Sequence, residues 1–193
     1  MNHNRDILGS FFNRLLPIFP PRTEAFLKNL TSEGLKSLNF RYIFTVDGMT
    51  TISHIIEDVV TNNPALTDLH VSFQYYSRFA NQQERYTKIA NNAKGLWVYG
   101  ADDAPLPPLP RMVAIDTTNT PLEHYWFVIA YGPGISAALL AEEITPENRL
   151  PGEPRMYEGF YTFETDTAYQ LIMLMHQMFP EQVPQPIAPE KIE

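Results

Sequence analysis

His54, Glu57 and Asp58 come closest to a metal-binding pattern in this chain. On a helix, His54 and Asp58 fall one turn apart, so two ligands would share a face. The spacing departs from H-E-x-x-H, and no third ligand follows in sequence. These residues therefore read as a solvated polar face, with no metal expected. His3, His70, His124 and His176 are isolated and form no cluster, and no cofactor is indicated.

Covalent and phosphoryl chemistry have less to draw on. There is no cysteine, no G-x-S-x-G elbow, no Walker loop and no G-x-G-x-x-G after a strand. Gly132-Pro133-Gly134-Ile135-Ser136 reads as a turn with a serine behind it. Acidic pairs occur at Asp102-Asp103 and Glu142-Glu143. Two-carboxylate catalysis needs groups that converge across a cleft, and adjacency does not supply that. On a strand, Glu142 and Glu143 point to opposite faces, and both are expected in water at a strand end. No catalytic residue is expected.

A small-molecule site has more support. Gln74 to Arg78 follow one predicted strand, and Tyr99 to Asp102 follow the next. Ligands of open α/β sheets sit beyond the carboxyl ends of strands. Gln74, Tyr76, Arg78, Tyr99 and Asp102 form the candidate ligand-binding set, offering ring faces, a guanidinium, a carboxylate and an amide. The competing reading is a packed rim whose tyrosines simply find hydrogen bonds.

The elements that position these residues follow from periodicity. Arg41 to Val46 reads as a strand closed by the turn pair Asp47-Gly48. A helix follows with Ile52, Ile55, Ile56 and Val59 on one face, capped at Thr50 or Thr51 and ended by Asn62-Asn63-Pro64. Leu69 to Tyr75 alternates apolar and polar residues, as a half-buried strand does. Asn81 and Glu84 match a capping box for a helix carrying Tyr86, Ile89, Ala90 and Ala93 inward, closed by Gly95. Leu96 to Tyr99 is a short apolar run of the kind covered on both faces.

The second half is richer in strands. Met112 to Ile115, Trp126 to Tyr131, Ala137 to Ile144 and Met156 to Phe163 are strand-like, with a hairpin at Gly132-Pro133-Gly134. A final helix opens at Thr165 and stops before Pro180, with Ala168, Leu171, Ile172, Met175 and Phe179 as its core stripe. The expected fold is mixed α/β: a central mixed sheet with flanking helices, preceded by a helical arm. The expected divisions are an arm over 1–39, a main domain over 40–180 and a disordered Pro-rich tail over 181–193. In the arm, Phe11, Phe12, Leu15 and Leu16 share an apolar face, expected to pack on its own domain or on a twin chain.

Composition narrows the partners. With 14 Lys and Arg against 22 Asp and Glu, net charge −8, and no run of basic residues, nucleic acid is not an expected partner. Attraction to an anionic bilayer is unfavourable for the same reason; Arg5, Arg14 and Arg22 alone would support membrane-surface contact by the arm. No apolar run approaches the ~18 residues of a membrane span, and no cleavable signal peptide is read, so the expected location is the cytoplasm.

Several segments in order resemble one family. Thr51 to Asp58 (TISHIIED), Ser72 to Phe79 (SFQYYSRF) leading to Glu84-Arg85-Tyr86, and Trp97 to Gly100 (WVYG) are similar to the DICT sensory domain. So are Tyr125 to Val128, Ala137 to Ala141 and Tyr157 to Phe160, placing the resemblance over about Phe40 to Phe179. The resemblance implies a bacterial signalling module of diguanylate cyclases and two-component systems, with a suspected role in light response and no catalytic residues. No cyclase, kinase or DNA-binding segment is read beside it. The expectation is a stand-alone, dimeric sensor that passes its signal to a separate output protein. The alternative is a structural adaptor docking through the arm and the final helix.

Overall fold

The computed structural model describes residues 42–144, 152 and 154–192. The expected arm, with Phe11, Phe12, Leu15 and Leu16, lies outside the described residues. The described chain forms a seven-stranded mixed sheet with three α-helices, the expected class. Its elements are β1 (Tyr42–Thr45), α1 (Val46–Asn62), β2 (Asp68–Tyr75), α2 (Gln83–Asn92), β3 (Gly95–Ala101), β4 (Met112–Asp116), β5 (Tyr125–Gly132), β6 (Ile135–Glu143), β7 (Met156–Thr162) and α3 (Thr165–Met178).

The strand order is β1-β7-β6-β5-β2-β3-β4. β2, β3 and β4 run parallel; β5, β6, β7 and β1 are antiparallel to their neighbours. The crossover through α2 joins β2 to β3, as a parallel pair requires. The helix after β1 does not place β1 beside β2: β1 pairs instead with β7 at the far edge, with Thr45 opposite Met156. The β5–β6 hairpin turns through Pro133-Gly134, where Gly134 takes a φ of +66° that suits a residue without a Cβ.

Both faces of the sheet are covered. Leu69, Val71, Leu96, Val98 and Leu139 pack with Met49, Ile56, Tyr86 and Ile89 of α1 and α2 in one core cluster. Trp97, Tyr99, Phe127, Ile129 and Leu140 pack with Leu171, Ile172 and Met175 of α3 in the other. β3 is buried along its whole length, as its apolar run predicts. β2 is not half-buried: its polar positions are buried too, His70 against Trp97 and Tyr99 on the α3 side, Ser72 through a hydrogen bond to Tyr125 O, and Gln74 among Glu143, Arg155 and Tyr157.

Several local expectations are corrected. α1 starts at Val46, and Thr45 is the cap, its Oγ1 accepting from Gly48 N at 3.2 Å. Asp47-Gly48 is the first turn of the helix rather than a turn after the strand; Asp47 suits the positive end of the helix dipole. Thr50 and Thr51 instead donate back to the Val46 and Asp47 carbonyls at 2.8 and 2.9 Å. The buried face of α1 is rotated from the isoleucine stripe, with Ser53 and Glu57 inside and Ile55 exposed.

The Asn81–Glu84 capping box does not form. A 3₁₀ segment over Tyr76–Gln82 runs straight into α2, so no extended residue remains to cap it. Gly95 is the first residue of β3, not a cap, and a Cβ there would lie 2.5 Å from the Trp97 ring.

The expected disordered tail is packed instead. Val183 is fully buried in the α3-side cluster, Trp97 Nε1 donates to Gln182 O at 2.9 Å, and Tyr131 OH donates to Ile187 O at 2.6 Å. Prolines that block helix and sheet still leave carbonyls free to accept from buried indole and phenol donors.

Candidate functional site

The site is built around an irregularity in β2. Ser72 pairs with Tyr99, but Gln74 pairs with Gly100, so Phe73 is an extra residue and the strand bulges. Gln74 emerges with φ +64°, a conformation a long side chain rarely adopts. What holds it there is its hydrogen bonding. Its N–H donates to Ser72 Oγ at 3.2 Å, and Nε2 donates to Glu123 O at 2.9 Å and to Glu143 Oε2 at 3.1 Å. Its Oε1 accepts from Arg155 Nη2 at 2.7 Å, from Tyr157 OH at 3.0 Å and from Arg78 Nη1. The residue is buried, and its amide is fully used.

Two guanidiniums thus meet at one neutral oxygen. Arg155 also grips Glu143 bidentately, Nε donating to Oε1 at 2.8 Å and Nη2 to Oε2. Burial works against the Arg155 charge, but the hydrogen bond and charge of Glu143 hold its pKa above the ordinary value. Arg78 is pushed the other way, by burial first and by the Arg155 charge second. Among the described residues no carboxylate lies within ion-pair distance of Arg78. Arg78 rests 4.8 Å from the Tyr75 ring centre and Arg155 5.3 Å from that of Tyr157. Burial pushes the Tyr157 hydroxyl up to about 12, so it stays a neutral donor.

Both arginines line a cleft of about 230 Å³ between α1 and the sheet. Val71, Phe73, Trp126 and Val128 give it an apolar floor; Thr50, Ser53, His54 and Glu57 line it from α1. Trp126 Nε1 donates to Ser53 Oγ at 3.2 Å, which fixes the indole under the helix. Glu57 is buried, overturning the solvated-face expectation for this residue. Tyr86 OH donates to its Oε1 at 2.5 Å and Arg85 Nε to its Oε2, while Arg85 Nη2 reaches His54 O at 2.8 Å and Asp58 Oδ1 at 2.6 Å. Burial raises the Glu57 pKa despite these partners. No group of three His, Asp or Glu suited to a metal occurs among the described residues.

Of the candidate ligand residues, Gln74 and Arg78 come together. Tyr76 packs its ring over Gly100, where a Cβ would lie 2.8 Å from that ring, and its nearby charges are Asp102 and Asp116. Tyr99 points to the opposite face of the sheet, its hydroxyl 2.9 Å from His70 Nδ1 and its ring against Phe127. Asp102 is exposed, its N–H donating to Thr118 Oγ1 at 3.0 Å. Glu143, expected in water, is largely shielded by Arg155. Arg155, Tyr157 and Trp126 complete the site from outside the two segments that supply the candidate ligand residues. No local signal points to them: Glu143 and Tyr157 meet only through the register of β6 with β7.

No curated protein matches the sequence. Among solved structures the chain is similar to polyphosphate kinase from Porphyromonas gingivalis, with 14% identity and a TM-score of 0.47. That match covers 90% of this chain and 31% of the kinase, and it is too weak to assign a fold or an activity. No helix among the described residues is long and apolar enough to cross a membrane. The model of the DICT family, the sensory domain in diguanylate cyclases and two-component systems, matches residues 26–144, which runs through β6 and stops short of Arg155. The chain belongs to the DICT sensory-domain family.

Proposed function

We propose that this chain is a ligand-reading sensory domain, with the cleft under α1 as its receptor site and a separate output protein that reads its occupancy. The role is binding rather than catalysis. The observation that carries the reading is Gln74. A strained, buried residue is retained where the surrounding structure over-determines it, and such residues concentrate at ligand clamps and switches. Here the strain holds two arginines on the wall of a cleft floored by Trp126 and Phe73. Family membership supports a sensory role for the whole unit.

The test is a thermal-shift screen of the full chain against a metabolite library, with native mass spectrometry of protein from its own cells. A hit is expected to raise the melting temperature and to lose its effect in Trp126→Ala. If no compound shifts the transition and no small molecule co-purifies, the reading has lost its support. A light-driven version requires a chromophore held without a thioether, because the chain has no cysteine. Visible absorption of the native protein decides it.

A second reading, a structural adaptor or a homodimer subunit, is favoured by exposed apolar side chains at the β1–β7 edge. Ile43 is 37% exposed and Phe163 is 62% exposed. Sedimentation of wild type beside Ile43→Ser and Phe163→Ser separates the two. Loss of a dimer or complex in the variants favours the adaptor, and unchanged sedimentation returns the weight to ligand sensing.

A further inference from the structure

The walls of the cleft also specify what enters it. Arg78 and Arg155 both face it, while Gln74 lies behind them and is not part of the lining. The carboxylate of Glu143 is gripped by Arg155 through two hydrogen bonds, and Arg78 has no carboxylate within ion-pair distance among the described residues. A half-buried guanidinium held beside a second one, with only the more distant charges of Glu143 and Asp103 to offset it, is incompletely neutralised. An oxyanion against the planar donor fork completes the neutralisation. The remaining ionisable groups on the lining are His54, Glu57 and Tyr86, and Glu57 is already taken by Tyr86 and Arg85.

Size and polarity set the rest of the ligand. At about 230 Å³ the cleft is smaller than the ~300–1,000 Å³ of sites for drug-sized molecules, so its occupant is about one ring in size. Trp126 and Phe73 supply flat apolar surface for that ring.

We propose that Arg78 and Arg155 form an oxyanion site for a small ligand carrying a carboxylate or phosphate group on a single apolar ring. Gln74 is the positioning residue: it holds both guanidiniums from behind so that neither must be ordered on binding. This assignment rests on the cleft being the receptor site.

The experiment titrates the full chain with benzoate and phenyl phosphate, and with their neutral counterparts benzamide and phenol, at constant ionic strength. Tryptophan emission is the signal, and Trp126→Phe assigns it to the cleft. At least one anion is expected to bind saturably and at least about tenfold tighter than its neutral twin. Which anion wins separates a carboxylate ligand from a phosphate one. Arg78→Gln is expected to erase the preference, and Arg78→Lys to keep part of it by holding the charge without the planar fork. Circular dichroism checks that both variants fold, and the wild-type comparison of anion with neutral twin stands without them. If the neutral compounds bind as tightly as the anions, the oxyanion site is overturned and the cleft survives as a receptor. If no anion changes the Trp126 signal up to millimolar concentration, or if Arg78→Gln binds the anions as wild type does, the oxyanion site is also overturned. The metabolite screen then decides the receptor reading separately.

Discussion

Gln74 Oε1 accepts a 2.7 Å hydrogen bond from Arg155 Nη2, tying the middle of the sheet to the chain that enters its second-last edge strand. The residues are far apart in sequence, and the bond depends on a backbone conformation that glycine adopts more readily than glutamine.

Replacing Gln74 therefore separates two effects. Gln74→Ala removes acceptors from Arg155, Arg78 and Tyr157 and keeps the unfavourable φ, and is expected to lose about 2–3 kcal/mol. Gln74→Gly removes the same acceptors but relieves the backbone, and should be less destabilised by about 1 kcal/mol. Urea unfolding of both variants measures the gap. Equal losses would mean that the φ of +64° stores no strain.

Glu57 predicts a pH effect with a definite sign. Burial raises its pKa in the folded protein, so the unfolded chain releases this proton first as pH rises. Glu57 thus contributes a loss of stability as pH climbs from about 4.5 through the raised value, the folded state binding the extra proton in that window. Arg85, more exposed, gains from the same pairing and is pushed up; the burial of the carboxylate decides the sign. Glu57→Gln should remove this dependence. Glu57→Ala should lose about 2 kcal/mol or more by stranding the Tyr86 hydroxyl.

His70 predicts the opposite slope. It is stacked on Trp97 at 4.4 Å, fully enclosed, and burial holds its pKa at about 3 against an ordinary 6.5. The folded state resists a proton that the unfolded chain accepts. Stability is lost as pH falls through 6.5 toward 3, at up to about 1.4 kcal/mol per pH unit. His70→Gln should flatten the acid limb of a stability-versus-pH curve. A slope between pH 6 and pH 4 that is the same in wild type and His70→Gln would show that His70 takes up a proton without unfolding.

The packed tail predicts that truncation is destructive. Removing residues 181–193 uncovers the Val183 pocket and leaves the Trp97 and Tyr131 donors without their carbonyl partners. A loss of about 3 kcal/mol or more is expected, with Val183→Ala at about 1–2 kcal/mol. Denaturant midpoints of the two proteins check this, and a truncated chain as stable as the full one would contradict it.

Element positions are legible in the sequence because they depend on local periodicity and punctuation. All four strands of the second half and the final helix fall within a residue or two of their expected places. The site was only half legible. Gln74 and Arg78 lie four residues apart across the end of β2, but Glu143, Arg155 and Tyr157 join them through sheet pairing that no local pattern encodes. The rotation of α1 has a similar origin. Its isoleucines read as the inner face, yet Glu57 is drawn inside by Tyr86 and Arg85 from the neighbouring helix. Tyr99 and Gln74 both end strands, but the extra residue Phe73 turns Gln74 to the α1 face while Tyr99 stays on the other beside His70.

The rung joining Thr45 to Met156 closes the longest loop in the sheet, and among the described residues it lies at the sheet's edge. Such a rung is expected to fray before the interior pairs, since its loop entropy is largest and one flank has no strand beside it among the described residues. Thr45 is also the root of the helix above the cleft, and Met156 follows Arg155 directly. Opening of the sheet is therefore expected first beside the proposed anion site, while the interior strand that carries Gln74 keeps its register.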